Sequence, residues 1–243
     1  MAGLSLDTLA FLWLGALVGG IAAGGTGFAF ALAASSIWLH RIDPLHSVIV
    51  VTGCGVLLHL TTIWPQRKHI EIGKLWPFIA GGLAGIPIGI HLLAYTDAGI
   101  LKIALGVFLM IFGTYALLSP RLHTVSFGGR PADAAVGFIG GVLGGIGGYS
   151  GVIPTIWTQL RGWPKETARP VYQIYVILIQ AVTLAGIVWL TLDRLGLVML
   201  VAVLPPLLLG TWIGWWLYGR LNERRFRQAL AILLIASGIT LVF

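Results

Sequence analysis

Charge is scarce in this chain: of 243 residues only 9% are charged, and Asp and Glu together number eight. With 58% hydrophobic residues and a mean hydropathy of +0.95, so little charge excludes a soluble domain. Cysteine occurs once, at Cys54 within an apolar run, which excludes a disulfide framework and a thiolate metal site and leaves the role of a small buried hydrophobe. There is no spaced Cys/His ligand set, no deep carboxylate pair and no phosphate loop, so neither enzyme chemistry, nor a metal, nor a cofactor is expected. Asp7, Asp43, Asp97, Asp133 and Asp193 all fall at predicted helix ends, where capping or solvation accounts for them. Glu71, Glu166 and Glu223 fall in loops or helix starts, so no acidic residue is placed deep enough for a proton relay. The N-terminus has no basic stretch before its first apolar segment, and that segment is expected to stay uncleaved.

What the chain has instead is apolar length and glycine. Runs at residues 45–64, 75–95, 100–118, 171–190, 195–218 and 226–243 each approach the roughly 20 residues of a membrane-spanning helix. The formal charge of +7 then reads as Lys and Arg in cytoplasmic loops facing anionic lipid, not as a nucleic-acid surface. Gly81, Gly85 and Gly89 recur every fourth residue and make a face for close helix packing. Trp212, Trp215 and Trp216 read either as an interfacial belt or as a homodimer seam.

The chain also repeats itself. Gly20, Gly24, Gly25, Gly27 and Pro44 return 120 positions later as Gly140, Gly144, Gly145, Gly147 and Pro164. Gly85 and Gly89 return at a spacing of 125 as Gly210 and Gly214. Two repeats are expected, at 1–118 and 132–243, joined by a cytoplasmic linker at 119–131. Residues 6–40 form an apolar stretch of about 35 residues, which as one helix would run roughly 50 Å against a hydrocarbon core of about 30 Å. Two half-helices at 9–22 and 28–39, meeting at the glycine turn inside the membrane, resolve the excess, and 133–160 has the same form.

Basic residues orient this arrangement. With both glycine regions as hairpins, twelve of the 15 Lys and Arg share one side and only Arg41, Lys102 and Arg194 lie opposite. Three crossings per half then put the halves in opposite directions across the bilayer. The expected fold is an all-α integral membrane protein of two inverted repeats, each a re-entrant hairpin plus three spanning helices.

Half-helix starts at the two turns would bring unpaired N–H groups and positive dipole ends to the middle of the membrane, where they attract a small anion. The candidate binding residues there are Gly24, Gly25, Thr26, Gly27 and Phe28 in the first turn and Gly147, Gly148, Tyr149, Ser150 and Gly151 in the second. Glycine admits the ligand to the backbone, and Thr26, Tyr149 and Ser150 add hydroxyls. The competing reading is that the glycines serve tight turns and helix contact alone. Gln173 and Gln180 share a helix face, with Tyr172, Tyr175 and Thr183 adding polar character, and either line the path or bond between helices. Arg169 fits a clamp on an anion by its fork geometry, or a topological role beside Lys165. His59 lies deep in the 45–64 run and is either a proton-coupling group or a neutral histidine bonded to a neighbouring helix.

The stretches GGIAAGGTGFAFAL, RKHIEIGKLWPFIAGGLAGIPIGI, GFIGGVLGGIGGYSG and RGWPKETARPVYQIYV, in this order, resemble the glycine motifs, basic loop and following helices of the TauE/SafE sulfite exporter family. The resemblance implies a multi-pass transporter in the plasma membrane, of the prokaryotic inner-membrane kind, moving sulfite, sulfoacetate or related organosulfonates and coupled to protons. At Tyr149-Ser150-Gly151-Val152 the chain departs from the Gly-Pro of many relatives. An anion channel, or a carrier of another small organic anion, is the alternative.

Overall fold

A computed structural model describes residues 5–26, 29–63, 70–118, 125, 128–191, 194–218 and 223–243. The described residues form eleven helices and no strand: α1 (Leu6–Thr26), α2 (Phe30–Trp38), α3 (Pro44–Ile63), α4 (Ile72–Tyr95), α5 (Ala98–Leu118), α6 (Gly129–Gly147), α7 (Val152–Leu160), α8 (Lys165–Thr191), α9 (Arg194–Ala202), α10 (Leu204–Tyr218) and α11 (Glu223–Val242). Five of them, α1, α3, α4, α5 and α8, are long and apolar enough to cross a membrane, and the bent pair α9–α10 makes a sixth. The expected all-α integral membrane protein is what the structure shows.

The helices sort into two compact units that are not the sequence halves. One unit comprises Met1–Cys54, Thr96–Pro120 and Asp193–Phe243; the other comprises Gly55–Tyr95 and Arg121–Leu192. Thus α10, from the second half, belongs with α1, and α4, from the first half, belongs with α6.

In the first unit α1 and α2 fold back on each other. Trp38, fully buried, donates its indole Nε1 to the Leu12 carbonyl at 3.0 Å, and its ring lies where a Cβ on Gly15 would go. The helix α2 is buried on nearly every side, as a helix without a polar face must be. Against the other side of α1 lies α10, and the two touch backbone to backbone. A Cβ at Gly20 or Gly24 would overlap the Leu207 or Thr211 carbonyl, and one at Gly210 or Gly214 would overlap the carbonyl of Leu17 or Ile21. The pair α5 and α11 meets the same way through Gly106, Gly113 and Gly238.

The second unit repeats this construction. The helix α4 carries the Gly81, Gly85 and Gly89 face and lays it on the carbonyls of Ala134, Phe138 and Val142 in α6. Gly137, Gly141 and Gly145 of α6 answer it against Phe78, Gly82 and Gly89. With so little burial energy to gain between helices in lipid, such approach supplies the dispersion contacts that hold the pair. The α8 side of α4 is filled by Leu75, Phe78, Ile86, Val171, Tyr175, Val176 and Ile179. Phe78 meets Tyr175 edge-on at 6.2 Å, and the Tyr175 hydroxyl donates to the Gly137 carbonyl at 2.6 Å.

Three local expectations are corrected. The arm before each turn is not a half-helix: α1 has 21 residues and α6 has 19, while α2 and α7 have nine each. Glycines that would weaken an isolated helix stay helical in α1 and α6 because neighbouring backbones occupy the space a side chain would need. The run at 195–218 is not one straight span but α9 and α10, bent by 42°. Pro205 and Pro206, just beyond the break, have no N–H to continue α9. Asp133 is no solvated helix end but a buried acceptor, bonded by the Trp157 indole at 2.6 Å with Arg161 Nε 3.7 Å away. The other Asp residues described in such detail do cap: Asp97 Oδ1 accepts from the Gly99 and Ile100 amides, and Asp43 Oδ1 accepts from the His46 amide at 3.2 Å. Of the linker 119–131, residues 119–124 and 126–127 lie outside the described residues, and its last three are already helical.

Candidate functional site

The turn between α6 and α7 is built by one backbone conformation. Gly148, at φ 76°, takes the left-handed form that glycine adopts without a Cβ penalty, and its amide bonds the Gly144 carbonyl at 2.8 Å. The Tyr149 amide reaches the Leu143 carbonyl, and the Tyr149 ring folds over Gly147, where any Cβ would overlap it. Two residues on, Gly151 caps α7 without a side-chain bond, and the Val152 amide turns back to the Tyr149 carbonyl at 3.2 Å. Tyr149 and Ser150 are buried, so the positive end of α7 is covered by protein.

The helix α8 presents Gln173, Val176, Gln180 and Thr183 at spacings of three and four, all buried. Gln180 Nε2 donates to the Gly148 carbonyl at 3.0 Å, which ties this face to the turn. Its Oε1 rests against the Cα of Gly55 on α3, where a Cβ would displace it. One turn along the same face of α3 is His59, also buried, and the exposed Arg169 lies near enough to act on it and on Tyr172 electrostatically. Ser150 Oγ, Gln180 Oε1 and Thr183 Oγ1 are buried side-chain atoms without a hydrogen-bond partner among the described residues.

The structure therefore brings Gly147, Gly148, Tyr149, Ser150, Gly151 and Gln180 to one neighbourhood, with Gln173 buried two turns from Gln180 on α8 and His59 one turn from the Gly55 contact. Arg169 is set two turns from Val176 and is exposed. In the other unit, Gly24 turns its Cα to α10; Gly25 and Thr26 end α1, and Gly27 and Phe28 lie outside the described residues. Thr183, read from the sequence as part of the polar character of α8, is buried three residues beyond Gln180. One feature goes beyond the sequence reading: the Asp133, Trp157 and Arg161 cluster at the base of the second hairpin carries no sequence signal, because Asp133 lies on α6, 24 residues before Trp157 on α7.

Hydrogen bonding and the α7 dipole are the chemistry this geometry offers. Among the described residues no three His, Cys, Asp or Glu side chains converge as metal ligands. A family model described as Sulfite exporter TauE/SafE matches residues 12–241, nearly the whole chain. The chain belongs to the sulfite exporter TauE/SafE family. No curated protein and no solved structure matches it. As a TauE/SafE member it is a multi-pass membrane protein of an anion-exporting family.

Proposed function

We propose that this TauE/SafE protein is a secondary transporter that holds a small sulfur-containing anion, such as sulfite, sulfoacetate or a related organosulfonate, at the Gly148–Gly151 turn. The observation that carries the reading is the buried start of α7 on the turn that Gln180 binds, together with three buried polar atoms that have no partner among the described residues: Ser150 Oγ on that turn, and Gln180 Oε1 and Thr183 Oγ1 on the α8 face. A buried polar group without a partner costs about 1–3 kcal/mol, and a bound ligand can recover that cost. Gly24, Gly25 and Thr26 at the end of α1, with Gly27 and Phe28, are the binding residues proposed for the first hairpin. His59 is the group proposed to couple protons, since it is buried on the α3 face that reaches Gln180.

Two inverted repeats are supported by the symmetry of partners: α1 takes α10 as α6 takes α4, each through matched glycines. The plasma membrane is the proposed location, with Trp212, Trp215 and Trp216 on the exposed side of α10 suited to its interface or to a second copy. Thermal shift of the purified protein against sulfite, sulfate, sulfoacetate, taurine, phosphate and acetate tests the ligand class. Stabilisation by a sulfur oxyanion, with saturable uptake and counterflow in proteoliposomes, is the expected result. A response confined to cations or neutral solutes removes the assignment, and single-channel currents favour a pore.

A further inference from the structure

We infer that Gln180 makes this site select an anion that brings its own hydrogen-bond donor, an oxyanion bearing an O–H. The inference rests on the transport reading above and specifies its ligand. A carboxamide has one end that donates and one that accepts, and which end faces a ligand decides what that ligand must offer. Here the choice is fixed. Gln180 Nε2 is committed to the Gly148 carbonyl at 3.0 Å, and reversing the amide would set oxygen against oxygen. Its Oε1 is therefore held as an acceptor, buried and without a donor.

The position is guarded from two sides. Gly55 has no side chain, and any Cβ there would occupy the place of the carboxamide oxygen. Gly148 keeps its carbonyl available by ending α6 in the left-handed conformation. Two hydroxyls on the same turn and helix face are also buried without a partner among the described residues, Ser150 Oγ two residues beyond Gly148 and Thr183 Oγ1 three residues beyond Gln180. Those hydroxyls and the α7 start can each donate to negatively charged oxygens. Gln180 Oε1 cannot. A fully deprotonated anion without a donor leaves it unpaired or repels it, whereas one O–H on the anion completes the set. Hydrogen sulfite offers such a group as an acid proton, and a hydroxyalkanesulfonate offers it as an alcohol.

The two sulfonates 2-hydroxyethanesulfonate and 1-propanesulfonate have the same charge and nearly the same shape, and differ by hydroxyl against methyl. Their dissociation constants from thermal-shift titration at one pH read the selectivity directly. The wild-type protein is expected to prefer the hydroxyl compound by about tenfold, the ratio one net hydrogen bond supplies. Gln180→Met, which keeps length but removes the acceptor, is expected to bring the ratio close to one, and Gly55→Ala to lower it by moving the carboxamide. Sulfite against methanesulfonate then separates the acid proton from the alcohol as the donor. A wild-type ratio near one, or a tenfold ratio kept in Gln180→Met, overturns the inference even if sulfite uptake is intact. Absence of sulfite uptake and of any shift by an oxyanion in the wild-type protein overturns the transport reading and this inference together.

Discussion

Glycine does two different things at the residue scale, and the two are separable by substitution. At Gly85 the Cα lies against the Phe138 carbonyl, so what matters is room. Gly85→Val is expected to separate α4 from α6 and lower stability by about 1–3 kcal/mol or more, read as a fall in melting temperature and loss of a monodisperse peak. At Gly148 what matters is φ: Gly148→Ala is expected to cost about 1–2 kcal/mol through backbone strain. The packing use was legible in the sequence because Gly81, Gly85 and Gly89 are spaced for one helix face. The turn was legible as a place, since the Gly144 to Gly148 cluster is repeated from the first half. Its acceptor was not, because nothing in the order of residues says that Gln180 will spend its amide nitrogen on Gly148 or that Gly55 will receive its oxygen. Such pairings depend on three helices meeting, and the sequence states only what each helix carries.

At the scale of elements, both hairpins close with an indole. Trp38 donates from the end of α2 to the Leu12 carbonyl, and Trp157 donates from α7 to Asp133. In the first hairpin the acceptor is main chain; in the second it is a carboxylate with Arg161 beside it. Asp133→Leu is expected to destabilise the second hairpin by about 1–3 kcal/mol, since it removes the acceptor of the half-buried Trp157 indole, and to speed proteolysis between α6 and α7. The start of α3 gives a pH-dependent counterpart. Burial would raise the Asp43 carboxyl, but hydrogen bonds from the His46 side chain and amide outweigh it and hold the group below its ordinary value. The stabilisation is full above the unfolded-state value and is lost as pH falls through the lower folded-state value. Asp43→Ala is therefore expected to cost about 1 kcal/mol at neutral pH, with the difference in melting temperature from wild type closing as the solution is acidified. The half-helix arms were read from the excess length of the apolar stretch over the bilayer core; the arms run longer because the glycines at their ends stay helical where a neighbouring backbone packs on them.

For the molecule as a whole, the duplication could be read from the sequence while the partnership of its helices could not. Matching glycines at 20 and 24, 85 and 89, and 210 and 214 announce faces that want a close neighbour. They do not say that α1 will find that neighbour in α10 and α4 in α6. The inverted arrangement has its own test, single cysteines at positions 41 and 125 on a Cys54→Ser background in intact cells. Position 41 is expected to react with a membrane-impermeant thiol reagent from outside and position 125 only after permeabilisation; reaction of both from the same side excludes inversion. The exchange of α4 and α10 between the halves also has a consequence for biogenesis. During translation the glycine face of α1 emerges nearly two hundred residues before α10 exists to cover it, so the nascent first half must wait in the lipid, or with an insertase, for its partner. Fragments 1–126 and 127–243 should then each be degraded when produced alone and rescue one another when produced together.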